Sequence, residues 1–174
     1  MSAGVLLFLT MRVFHVALAA AWFGAVVFTT LYLGPAVAEA GPAGGQLMGI
    51  LTRRGVHTFI SSIGGLTIVT GFYLFWRFTG GFDPAISSSH AGMAFSIGAL
   101  TGIIALILGG SMIGGSVKKM AALAPRVASL PEGPERAALM STMANLRARV
   151  TKFGKIVVVL LFISIATMAL GHYI

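Results

Sequence analysis

Four apolar runs separated by glycine-rich or basic stretches organise this chain. The first extends from about Val5 to Leu33 and stops at Gly34-Pro35. A Gly/Ala/Pro-rich loop is expected from Ala36 to about Gln46, and a second span over about 48–77. Between Arg54 and Arg77 lie 22 uncharged residues, about 33 Å of helix at 1.5 Å per residue, enough to cross the hydrocarbon core. A turn-like stretch through Asp83-Pro84 and Ser87-Ser88-Ser89 leads to a third span over about 90–115. A polar section follows at about 116–152, where Pro131-Glu-Gly-Pro134 predicts the start of a short surface helix reaching Arg149. The fourth span covers about 153–173. The pattern predicts an all-α, integral membrane four-helix bundle, a single domain over 1–174.

Composition agrees with that reading. The chain is 57% hydrophobic and only 9% charged, where soluble domains carry roughly a quarter charged residues. Mean hydropathy is +0.95. Without cysteine there can be no disulfide, thiolate metal site or cysteine nucleophile. Ala17-Leu-Ala-Ala-Ala21 has the small residues of a leader-cleavage site, but no basic residue precedes the first apolar run, so a retained span is expected.

Charge placement sets the orientation. Ten of the twelve basic residues (all but Arg12 and Arg77) fall in the two connections that share one side. The positive-inside rule puts those connections in the cytoplasm and both termini on the periplasmic side of a bacterial-type inner membrane. The net charge of +8 is therefore an orientation signal with anionic lipid as its contact, and no nucleic-acid partner is expected.

The candidate chemistry lies in the histidines. His15 sits within the first run, where an ionisable side chain is costly and turns toward the bundle interior; Met11 and Trp22 share its helix face. His90 opens the third span and His172 closes the fourth, so three imidazoles from three helices are expected at the outer side. His57 stands alone in the inner half and is the candidate for a second site; it shares a helix face with Ser61, Gly64 and Ile68, which reads as helix contact or as room for a flat macrocycle.

Two ligand chemistries fit this layout. A b-type haem needs imidazole from facing helices and an apolar slot. His15 with His90 or His172 would supply it, with Trp22 against the ring and Arg12 or Arg77 pairing with propionates. Copper is the alternative: Met11, Met93 and Met168 each lie one turn from an outer histidine, and thioether plus imidazole suits Cu(I). Plainer roles stay open beside these, with His172 as an interfacial residue, His90 as a flank of its helix, His57 bonded to a neighbouring backbone and each methionine as packing. The Gly98-x-x-x-Gly102 and Gly110-x-x-x-Gly114 pairs allow either close helix contact or room for a flat macrocycle. No phosphate loop, nucleophile elbow or zinc-helix motif is present, and no catalytic residue is assigned.

Phe14-His15-Val-Ala-Leu-Ala-Ala-Ala-Trp22-Phe-Gly24 resembles the opening helix shared by the CopD copper-resistance family and the HemJ-type protoporphyrinogen oxidases. Ile68-Val-Thr-Gly71-Phe-Tyr-Leu and the helix from His90 to Lys118-Lys119 are similar to the second and third helices of that group. The HemJ-type resemblance implies haem binding at His15 and carries over to His90; the CopD-type resemblance implies copper movement across the membrane. HemJ-type proteins have a lysine two residues after the third-helix histidine where this chain has Gly92, which counts against protoporphyrinogen oxidation. The leading expectation is a b-type haem-binding membrane protein that passes electrons to or from quinone or a periplasmic redox protein. The alternatives are copper handling and a non-catalytic accessory subunit of a homo-oligomer or larger membrane complex.

Overall fold

The computed structural model describes residues 2–174 and shows an all-α membrane bundle. Four helices are long and apolar enough to span: α1 (Ala3–Glu39), α3 (Val56–Phe78), α5 (His90–Ser129) and α6 (Pro134–Leu170). Between them lie α2 (Gly41–Arg53) and the single turn α4 (Pro84–Ser87). The spans alternate in direction, so the chain's two ends meet at one end of the bundle, the terminal end; the basic connections form the other, the basic end. Helix α1 packs along α3 and α5 along α6, and the pairs close into a ring through α3–α5 and α1–α6.

The buried core is small: Trp22, Val26, Ile63, Ala105, Val157 and Leu161. Around it, Val69, Phe72 and Phe162 are each more than 60% exposed. In water such a surface would aggregate; in hydrocarbon it is the solvated surface, and helix association must come from close packing and hydrogen bonds instead. The α5–α6 seam shows both. A Cβ on Gly98 would lie 2.8 Å from Met168 Cγ and 3.1 Å from the Ser164 carbonyl oxygen, so the backbones touch where no side chain intervenes. Ser164 Oγ donates to the Gly98 carbonyl at 2.7 Å, a hydrogen bond between spans. The glycines at 98 and 102 are thus occupied by helix contact.

Three element boundaries differ from the pattern-based expectation. The Gly/Ala/Pro-rich stretch is helical: Pro42 starts α2, where its missing N–H is harmless, and left-handed Gly41 and Gly55 set α2 off from its neighbours. The second span therefore begins at Val56, not 48. The expected surface helix and fourth span are one unbroken helix, because from Arg136 to Leu170 no proline interrupts it and Gly154 faces Thr30 of α1 at close range. At 37 residues α6 measures about 56 Å, so its first turns project beyond a ~30 Å hydrocarbon core and pair there with the end of α5.

Two helices also contain a wide turn of π type, Thr29–Leu33 in α1 and Gly109–Gly114 in α5. Such turns relax the backbone ladder and recur at functional sites.

Replacing Gly98 with leucine should lower stability by about 1–3 kcal/mol, the usual cost of overpacking. Gly65→Leu, where a Cβ meets nothing within 4 Å, should change it by less than about 0.5 kcal/mol. Thermal unfolding in detergent checks both, and equal effects would contradict the packing described.

Candidate functional site

The α1–α3 seam is built from rings laid on glycines. His15 and Trp22 are seven residues apart on α1, Gly71 and Gly64 seven apart on α3, and the antiparallel run matches them in pairs. A Cβ at Gly71 would stand 2.7 Å from His15 Cε1, and one at Gly64 2.7 Å from Trp22 Cε2. These glycines give their space to the chain's own rings. Trp22 is 4% exposed and belongs to the core.

Hydrogen bonding fixes the chemistry of His15. Its Nδ1 lies 2.9 Å from the Thr67 carbonyl oxygen and 3.2 Å from Thr70 Oγ1. A carbonyl only accepts, and the Thr70 hydroxyl already donates to Leu66 and Thr67. A proton must therefore sit on Nδ1, which donates to α3, and in the neutral ring Nε2 is left with its lone pair. A half-buried imidazole whose Nδ1 is held by a neighbouring helix is able to offer its other nitrogen to a ligand.

The other outer histidines sit differently. His172 is exposed, meets Phe95 edge-on at 5.4 Å, and its Nε2 lies 3.2 Å from Arg12 Nη2. A guanidinium only donates, so Nε2 of His172 accepts and its lone pair is engaged. His90 is exposed at the first position of α5, behind Ser89, whose Oγ accepts from the Gly92 N–H at 3.1 Å. Gly92 itself is buried against α4, where any Cβ would collide with the Ile86 carbonyl and the Ser87 backbone, so this position has no room for a lysine.

Among the methionines, Met168 packs on Gly98, Met93 is exposed, and Met11 is half-buried on the His15 face. Arg77 is exposed at the end of α3. Among the described residues, no group of three or more His, Cys, Asp or Glu is close enough to hold a metal ion. The terminal end therefore brings together Arg12 with His172, and His15 with Thr67, Thr70 and Gly71.

At the basic end the His57 ring lies directly on Gly114 of α5, again leaving no room for a Cβ. It borders a cavity of about 180 Å³ reached by all four spans and α2. The pattern of apolar runs did not reveal this space. Its signals in the chain are the paired glycines Gly109-Gly110 and Gly114-Gly115 and the adjacent Thr29-Thr30, which coincide with the two π turns.

No family model, curated protein or solved structure matches the chain. The site is thus read from its own geometry.

Imidazole ¹⁵N NMR of the labelled protein at neutral pH should show His15 with Nδ1 protonated and Nε2 bare. The Gly71→Leu variant, which evicts the ring, should lose that fixed tautomer and average toward free imidazole. A protonated Nε2 in the parent protein would contradict the bonding assigned to α3.

Proposed function

We propose that the protein is a membrane electron carrier that binds b-type haem at the terminal end of the bundle, with His15 as the residue that would hold the iron. The observation that carries this reading is the bare Nε2 of His15, fixed by donation from Nδ1 to the Thr67 carbonyl. The donor set fits the group: a neutral imidazole with its second nitrogen bound to backbone is the ligand form iron requires. His15 lies half-buried within an apolar span, a low-dielectric setting that suits a redox centre. Bound haem would supply a one-electron couple within the membrane. His15 contributes the lone pair, and the Thr67 carbonyl raises its basicity by accepting from the far side of the ring. Arg12 and Arg77, near the membrane boundary, suit carboxylate partners; Arg12 would exchange its contact with His172 for one. His90 and His172, at the same end of the bundle, are the candidates for a second ligand, and each would have to turn from its present place to serve. The electron partner would be quinone or a redox protein on the terminal side.

The reading includes an orientation. Of the twelve basic residues only Arg12 and Arg77 lie toward the terminal end, so the basic end faces the cytoplasm of a bacterial-type inner membrane and the termini face outward.

Purified protein should be red, with a Soret band and a sharp reduced α-band, and His15→Ala should remove most of that absorbance. Full haem retention in His15→Ala would eliminate His15 as ligand. A colourless protein holding near-stoichiometric Cu(I), lowered by Met11→Ala, would favour copper handling instead; one with neither, copurifying with a larger complex, would favour an accessory subunit. Because the chain has no cysteine, single introduced thiols report orientation without background. Tyr173→Cys should react with an impermeant maleimide in intact spheroplasts, and Ser129→Cys only after lysis.

A further inference from the structure

The cavity at the basic end has no part in the haem reading, yet it is the more developed space. It lies one to two helical turns inside the basic connections, with Trp22 and Ala105 toward the bundle centre and Met48 and Leu51 of α2 across its inner side. The two π turns form facing walls: Thr29, Thr30 and Leu33 from α1, Gly109, Gly110 and Ile113 from α5. A π turn holds an extra residue per loop of backbone and widens the helix locally. Two such turns opposite one another keep apart helices that glycine would otherwise let close.

Thr29 in this lining donates to the carbonyls of Ala25 and Val26, but other polar groups beside it are not bonded to backbone. The hydroxyls of Thr67, Thr70, Thr101, Ser164 and Thr167 all donate to backbone carbonyls. Thr30, His57 and Ser61 are half-buried, line the cavity, and have no hydrogen-bond partner among the described residues. Polar groups on a membrane span that are not bonded to their own backbone lack partners in an apolar surrounding, and a ligand would supply them. Hydroxyls and an imidazole N–H donate, so they suit carbonyl oxygens. Among the described residues no Asp, Glu, Lys or Arg lines the cavity, which argues for an uncharged guest. Size points the same way: an apolar cavity of about 150 Å³ takes up benzene. At about 180 Å³ this one has room for one or two fused rings.

A route exists from the side. A second groove, open to the surroundings between α3 and α5, shares His57, Ser61 and Gly110 with the cavity and continues past Thr58, Ser62 and Lys118. Those three residues line both spaces, so the groove and the cavity adjoin there. Gly110 presents no side chain, and a Cβ there would meet nothing within 4 Å.

We infer that the cavity is a binding site for a neutral, lipid-soluble ring compound bearing carbonyl acceptors, the chemistry of a quinone head group, which enters sideways between α3 and α5 past His57, Ser61 and Gly110. Trp22 lines the site, and the only other tryptophan, Trp76, lies near the terminal end of α3. The site stands on its own geometry and does not depend on haem at His15.

The test uses the full-length Trp76→Phe protein in nanodiscs, with 1,4-naphthoquinone as the fluorescence quencher and naphthalene as a competitor lacking carbonyls. Quenching of Trp22 should saturate, and naphthalene should compete at least about tenfold more weakly, the difference one or two hydrogen bonds make. His57→Leu and Ser61→Ala should each weaken naphthoquinone binding by up to about tenfold while leaving naphthalene unaffected. Gly110→Leu, which adds bulk where both spaces meet and where a Cβ has nothing within 4 Å, should slow or abolish saturable quenching. Quenching that rises linearly and is the same in Gly110→Leu would mean partition into lipid and would overturn the site. Equal competition by naphthalene would overturn the ligand class. A colourless protein that still binds naphthoquinone would remove the haem reading and keep this one; a red protein with only linear quenching would do the reverse.

Discussion

Close backbone approach under flat rings is what the rest of this bundle depends on. Lipid tails are as apolar as leucine, so burying another aliphatic face gains little inside a membrane, and association rests on dense packing and hydrogen bonds. His15 over Gly71 and Trp22 over Gly64 meet that requirement twice along one seam. The seven-residue spacing on both partners keeps the pairs in register across an antiparallel run. Extended two turns further, the same seam reaches Thr29 and His57, and there it opens into the cavity. The α5–α6 seam reaches the same end by a different means, with Ser164 bonded across to Gly98.

Much of the architecture could be read from the chain because a membrane imposes coarse rules. The number of spans follows from apolar length and their alternation from the basic connections. The shared face of His15 and Trp22 was legible from helical spacing, and it is the face that α3 covers. Boundaries were less legible: composition marks Ala36 to Gln46 as a loop, yet N1 proline and left-handed glycine make most of it helix. The run into the fourth span looked divisible because its charge changes abruptly at Lys155, but backbone hydrogen bonding takes no notice of side-chain charge.

The candidate site was legible only in part, since depth along a helix is not the same as direction around it. Depth alone gathers His15, His90 and His172 at one end. Direction separates them, with His15 bonded into α3, His172 held by Arg12 and Phe95, and His90 exposed behind its serine cap. Gly92 shows the same lesson in reverse: a residue that reads as a missing functional lysine is a steric necessity where α4 folds under α5. The cavity depends on two departures from regular helix, and hydropathy patterns do not register a helix that has widened by one residue.

The unbroken length of α6 has a mechanical consequence. Its first turns stand outside the bilayer against the end of α5, its middle touches Thr30 within one wide turn of α1, and its last third carries Ser164. With no proline or bulge from Arg136 to Leu170 to absorb a bend, the helix behaves as a stiff rod. A tilt imposed on its projecting end would be felt across the whole thickness of the membrane, and the wide turns of α1 and α5 are the softest places for that displacement to be taken up.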